Sequence, residues 1–190
     1  MKFFKHIIIF IFFNFLAFSS FANDFVGIIG VGVGEVKNQN KQKLENGSKI
    51  FYGDTIIVGS KSTAQVLFLD QTVMTLGEDS ELTIDEFVYD PQTNDGKFVS
   101  NIKSGTIKII TGKISKKDPD NLEIKIPTGA IGARGTEFVV LANSKNENTV
   151  LLLGPGPNNS LGMTPGNLEV TDGVNSVSII QPGFETVVTN

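Results

Sequence analysis

From residue 23 onward the chain breaks at Gly, Asp, Asn or Pro about every ten positions, and no window of a dozen residues carries an apolar stripe at helical spacing. Ile50-Phe51-Tyr52 runs into Gly53-Asp54, Thr55 to Val58 into Gly59-Ser60, and Ala64 to Leu69 into Asp70-Gln71. Val73 to Leu76 runs into Gly77-Glu78-Asp79, and Leu82 to Tyr89 into Asp90-Pro91. Turns so close together leave strands of about four to eight residues and no room for crossover helices. Composition agrees: residues 23 to 190 hold 17 Val, 16 Ile and 15 Thr against four Ala, a bias toward the stiff β-branched side chains that pack well on a pleated surface. The expected class is all-β, with the strands in a sandwich, a barrel or a small solenoid.

The first 22 residues follow different rules. Lys2 and Lys5 make a short cationic start, Ile7 to Phe18 is apolar except for Asn14, and Ser20-Phe21-Ala22 puts small residues at the two positions a signal peptidase reads. We read residues 1 to 22 as a cleaved signal peptide and 23 to 190 as a single domain. The apolar run is short of the roughly 20 residues a spanning helix needs, so no stable membrane span is expected after cleavage. Cleavage leaves 190 − 22 = 168 residues with 14 basic and 20 acidic side chains, and no Cys, His or Trp.

Those absences exclude a Ser-His-Asp triad, a Cys nucleophile, an imidazole base and an ordinary zinc site. An acidic chain with one Arg also lacks the basic stripe that nucleic acid requires. Without disulfides the fold must rest on burial alone, for which 168 residues suffice.

Patterning places the core. Val66 to Leu69 and Phe138 to Leu141 are unbroken apolar runs, predicting strands covered on both faces. Leu122, Ile124 and Ile126 alternate with Glu123 and Lys125, and Leu82 and Ile84 with Thr83 and Asp85, predicting one face open to water. Residues 90 to 96 predict a hairpin tip joining Leu82–Tyr89 to Phe98–Ile102, residues 116 to 121 another exposed tip, and residues 154 to 166 a long Gly-Pro loop. The glycine-rich opening, Gly27 to Gly34, fails the dinucleotide fingerprint at its third glycine and predicts a strand packed closely by other backbones, or bulges.

Three ordered segments carry a family resemblance. Gly53-Asp54-Thr55 through Asp70 joins a Gly-Asp turn to an apolar strand ending in Asp; Val73-Met74-Thr75-Leu76-Gly77 follows; and Ile126-Pro127-Thr128 leads into Gly132-Ala133-Arg134-Gly135-Thr136-Glu137-Phe138. Together these resemble the FecR domain, an all-β module of exported bacterial proteins, over about residues 30 to 140, with terminal strands from 141 to 190. The resemblance implies a compact β-helix-like roll or sandwich, a periplasmic setting and a non-catalytic role. We expect a binding or interaction module that presents a rigid strand face or edge to an envelope or membrane protein, or to a glycan, with secretion or surface display as the other destinations; the alternative is a sensory component. The regulators that give the family its name carry an anti-sigma segment and a membrane helix that this chain is expected to lack, so any sensory signal would pass to a separate membrane regulator. A monomer without cofactor or metal is expected.

Candidate interaction residues are Gly53, Asp54, Asp70 and the run Arg134, Gly135, Thr136, Glu137, Phe138. Arg134 is the one Arg among many Lys, flanked by small residues. It can recognise a carboxylate of a partner through its planar fork, or lock internally onto Asp70, Asp54 or Glu137, and the internal pair is the favoured expectation because Arg suits buried pairs. Gly135 is expected to take a backbone geometry that a Cβ forbids, and Thr136 to satisfy a turn. Asp70 and Glu137 as a hydrolytic carboxylate pair carry little weight with no His or Trp in residues 23 to 190 to line a sugar site. Asp90 to Gly96 lacks the carboxylate spacing of a calcium loop.

Overall fold

The computed structural model describes residues 25 to 143, 147 to 158 and 165 to 189. The predicted signal peptide lies outside these residues, as do residues 159 to 164 of the Gly-Pro loop. Fifteen strands follow in order: β1 Phe25–Val33, β2 Val36–Asn38, β3 Lys49–Phe51, β4 Thr55–Val58, β5 Thr63–Phe68, β6 Val73–Leu76, β7 Glu81–Tyr89 and β8 Gly96–Ile110, then β9 Leu122–Ile126, β10 Gly129–Arg134, β11 Glu137–Ala142, β12 Glu147–Gly154, β13 Asn167–Thr171, β14 Ser176–Ile179 and β15 Glu185–Thr189. Between β8 and β9 lie a single-turn helix α1, Lys113–Lys117, and a 3₁₀ turn, Pro119–Asn121. The all-β class predicted from turn spacing therefore holds.

The strands join into one open, mixed sheet with two arms. The first arm runs β3-β1-β5-β6-β8-β11-β12-β15, and the second β2-β4-β7-β8-β9-β10-β13-β14. Strand β8 belongs to both. Its amino-terminal half pairs with β7 and, in the one parallel step, with β9, while its carboxy-terminal half pairs with β6 and β11. The chain can change arms within one strand because Gly105 takes φ +95°, a left-handed conformation open to glycine. A Cβ there would meet Ser80 Oγ at 2.1 Å, so space and conformation demand the same residue.

The inner faces of the two arms share one core. Phe68 on β5 of the first arm packs against Phe98 on β8 with ring centroids 4.7 Å apart and against Phe87 on β7 at 5.9 Å, both from the second arm. Aliphatic side chains complete it, among them Ile29, Met74, Leu82, Ile107, Ile124 and Phe138's neighbours Val140 and Leu152, all fully buried. The alternation expected for Leu122–Ile126 appears as buried Leu122, Ile124 and Ile126 between half-exposed Glu123 and Lys125.

One expectation about the core fails. Val66–Leu69 and Phe138–Leu141 are covered on one face only: Val66, Phe68, Phe138 and Val140 point inward, whereas Leu69 and Leu141 are 47% and 46% exposed. No second layer covers the outside of the first arm among the described residues, so an unbroken apolar run here marks an aliphatic outer face rather than burial on both sides. The hairpin between Leu82–Tyr89 and Phe98–Ile102 forms as expected, with Leu82 opposite Ile102 and Tyr89 opposite Gly96. In β1, Gly27 lets Leu67's carbonyl approach within 2.7 Å of where a Cβ would sit, and the register slips at Gly30 between Ile29 and Val31, so both glycine readings hold. Helix α1 stands where only an exposed tip was expected; five residues cannot display a helical period, and the turn is fixed by Asp118 N–H donating back to the Ile114 carbonyl.

Truncating Phe98 to Ala should cost about 3–5 kcal/mol in denaturant unfolding, as for other buried Phe. Leu141→Ala on the outer face should cost about 1 kcal/mol or less in the same measurement.

Candidate functional site

The run Arg134 to Phe138 is the crossing from the second arm to the first. β10 pairs with β9 and β13, while β11, two residues later, inserts between β8 and β12. Gly135 makes the step at φ +56°, as its expected role required. Thr136 is buried and fastens it three ways: its N–H donates to Thr111 Oγ1 at 2.9 Å, its carbonyl accepts from Thr111 N–H at 3.0 Å, and its hydroxyl donates to the Gly154 carbonyl at 3.1 Å. Phe138 then enters the core and Glu137 turns outward to meet Lys108 Nζ at 2.5 Å.

Arg134 stands exposed at the end of β10, opposite Asn167 of β13. The expected internal pair is absent, because each carboxylate in question is engaged elsewhere and no ion pair reaches Arg134 among the described residues. Glu137 holds Lys108. Asp54 closes the β3–β4 turn, accepting from Phe51 N–H at 2.9 Å and from the Gln39 amide at 3.2 Å, with Gly53 before it at φ +82°. Gly53 and Asp54 are thus turn residues on the β3–β4 corner.

Asp70 is sealed from solvent at the β5–β6 turn. Its carboxylate accepts from Thr72 N–H at 3.0 Å and from the Thr72 hydroxyl at 2.7 Å, and Thr72 Oγ1 in turn accepts from Gly112 N–H at 3.0 Å. Its own carbonyl takes Lys113 N–H at 2.8 Å. Burial pushes the Asp70 carboxyl above the ordinary carboxylate range, against the pull of the Thr72 hydroxyl and the Thr72 and Ile114 amides. Gly112 has no room for a side chain, since a Cβ would lie 2.4 Å from both the Asp70 carbonyl and Thr72 N. A buried Asp70 and a Lys-bound Glu137 offer no exposed carboxylate pair to a sugar.

A second buried node ties the arms. The Thr128 hydroxyl, in the β9–β10 turn, donates to the Val188 carbonyl at 3.0 Å and accepts from Asn148 Nδ2 at 2.6 Å, while Asn148 Oδ1 takes Asn143 N–H at 2.8 Å. The Ser115 hydroxyl of α1 donates to the Ala133 carbonyl just before Arg134. Sequence reading missed Thr72, Thr111, Gly112, Ser115 and Asn148. Only Thr72 left a signal, as an Asp-x-Thr turn pattern; the others bond across 18 or more residues of sequence or, for Asn148, through both a near and a distant partner.

The Gly-Pro loop is rooted on this same crossing. Gly166 N–H donates to the Pro155 carbonyl at 2.8 Å, and Gly166 lies so close to Thr136 that a Cβ would meet its Oγ1 at 2.4 Å. Residues Leu153 to Asn158 with Gln181 and Pro182 line a shallow depression there. Arg134 faces the first residue after the loop's return, so the free guanidinium and the loop root sit at one corner of the second arm. The 90–96 tip is a separate hairpin, held by Asp90 accepting from Gln92 N–H and the Thr93 hydroxyl; the Gln92 amide, first among these, keeps the Asp90 carboxyl below its usual range.

Comparison with known families and structures agrees with this architecture. The family model described as FecR protein matches residues 54–154, which is 154 − 54 + 1 = 101 of the 190 residues. The chain belongs to the FecR family. Two crystal structures of a Parabacteroides distasonis protein described as an anti-sigma factor share its fold, with TM-scores of 0.53 and 0.51 at 15% and 16% identity. Each match covers 72% of this chain and 55% of the other, so the chain spans about half the length of those structures. No curated protein matches it. Among the described residues no helix is long and apolar enough to cross a membrane.

Two outcomes follow from the site. Asp70→Asn keeps the shape but turns one acceptor into a donor, and should cost about 1–3 kcal/mol. Because the Asp70 pKa is raised on folding, the wild-type advantage is full below the ordinary carboxylate pKa of about 4. It narrows as pH rises through the raised value and is constant above it, which urea unfolding of both proteins across this range checks. Arg134→Lys should leave stability within about 0.5 kcal/mol, because the side chain is exposed and in no ion pair among the described residues; a larger loss by the same assay would restore the internal clamp.

Proposed function

We propose that this protein is an exported, non-catalytic interaction module of the periplasm that works as the sensory component of a signalling regulator, engaging a partner protein and relaying the event to a separate membrane regulator. One observation carries the reading: within the Arg134–Phe138 run every side chain but one is committed to the fold, and the exception is a free guanidinium beside a loop root. An Arg that does no internal work is suited to forked recognition of a carboxylate on a partner. Family membership and the anti-sigma description of the structural neighbours support a regulatory role over an enzymatic one. Residues 1 to 22, with their cationic start and apolar run, support export. We further read the two arms around one core as the compact roll expected for the family.

Crosslinking of the tagged full chain in living cells, followed by mass spectrometry, tests the proposal. The captured chain should begin at Asn23, its partner should be a membrane regulator or transporter, and Arg134→Ala should abolish capture without altering thermal unfolding. Capture of wall polymer alone, or undiminished capture by Arg134→Ala, would overturn it.

A further inference from the structure

The second arm ends on a strand that lacks the usual protection. Among the described residues β14 pairs with β13 alone, leaving one side of its backbone unpaired. Natural edges are blunted by charge, proline or a bulge. Here β2 carries Lys37 and is bridged to Lys43, β3 carries exposed Lys49, and β15 opens with exposed Glu185. Ser176-Val177-Ser178-Ile179 has no charge, proline, glycine or register shift.

The core also runs out at this edge. Val177 lies opposite buried Val170 and shares the inward face with buried Ile179, yet it is 49% exposed. A groove beside it, between β14 and β15, is lined by four valines, Val170, Val177, Val187 and Val188, and by the polar Asp172, Asn175, Thr186 and Thr189. Exposed Val174, Ile180 and Phe184 flank the strand. One more strand on β14 would cover Val177 and the groove as a neighbouring strand covers any inward valine.

Charge selects the occupant. After Lys145 the sequence contains no basic residue, while Glu147, Glu169, Asp172 and Glu185 bring four negative charges, none in an ion pair among the described residues. Asp172 accepts from the amides of Val174 and Asn175, and these bonds, the Asn175 amide foremost, hold its carboxyl below the usual range. Glu169, opposite Ser178, and Asp172, in the turn into β14, stand at this edge, and a second copy would bring the same two acids to it, which disfavours self-pairing.

We infer that β14 is a docking edge for an extended segment of a partner protein, apolar at alternate positions and carrying Lys or Arg, which adds to the sheet as a further strand. The edge lies two strands beyond Arg134 in the same arm, and the inference stands apart from the reading above, because strand addition needs no guanidinium.

The probe is an acetylated, amidated peptide, Lys-Val-Thr-Val-Lys-Val-Thr-Val, titrated into the full mature chain and followed by NMR and amide exchange. The inference expects saturable binding with slowed exchange at residues 176 to 179. Replacing Lys by Glu in the peptide, or N-methylating alternate backbone nitrogens, should weaken binding about tenfold or more. Val177→Lys should do the same, with Val177→Thr as a second variant that keeps the β-branched shape, and Arg134→Ala should bind like wild type. No binding, equal binding of the Lys and Glu peptides, protection elsewhere on the chain, or a wild-type dimer in sedimentation that Val177→Lys dissolves would each overturn it. Loss of binding in Arg134→Ala would overturn the separation of the two surfaces and leave only the Arg134 site.

Discussion

Everything in this fold hangs on the bend in β8. A sheet that must bury an inner face without a layer of helices has to fold that face onto itself, and its backbone groups must stay paired through the fold. Gly105 reconciles the two needs, with the strand's earlier residues paired to β7 and β9 and its later ones to β6 and β11. The triad of Phe68, Phe87 and Phe98 then meets across the fold, and the aliphatic core grows around it.

The buried hydroxyls and amides complete what the bend begins. Thr111 with Thr136, Thr72 with Asp70 and Gly112, and Thr128 with Asn148 each satisfy backbone groups at places where the chain leaves one strand for another. Unpaired, such groups would cost more than the bonds themselves return, so these nodes specify where crossings occur more than they add net stability. In this chain the segments that carry the family resemblance largely set where the crossings fall. Arg134 is the member of those segments that the fold does not consume.

The fold class was legible because turn residues punctuate the chain so often that only short strands fit between them, and the hairpin from Leu82 to Ile102 could be placed by the same reasoning. Gly135 and Thr136 could be assigned structural roles from their chemistry alone. What could not be read was everything that depends on distant pairing. Nothing local distinguishes Leu69, on an open outer face, from Phe68 beside it in the core, nor marks Asn148 as the partner of Thr128. Arg134 was misjudged for the same reason: the nearby carboxylates were counted as available, when Lys108, Thr72 and Gln39 had already claimed them.

A strand held in common by both arms also governs how the molecule comes apart. Neither arm has a full set of neighbours without β8, whose earlier half pairs with β7 and β9 and whose later half pairs with β6 and β11. Loss of β8 therefore disrupts both arms, which couples their stabilities. Most of the molecule's contacts join residues far apart in sequence, so long loops must close before they form, a topology that favours slow folding. A nick near residue 105 would cut the one strand that both arms share, so a single break would loosen the two together.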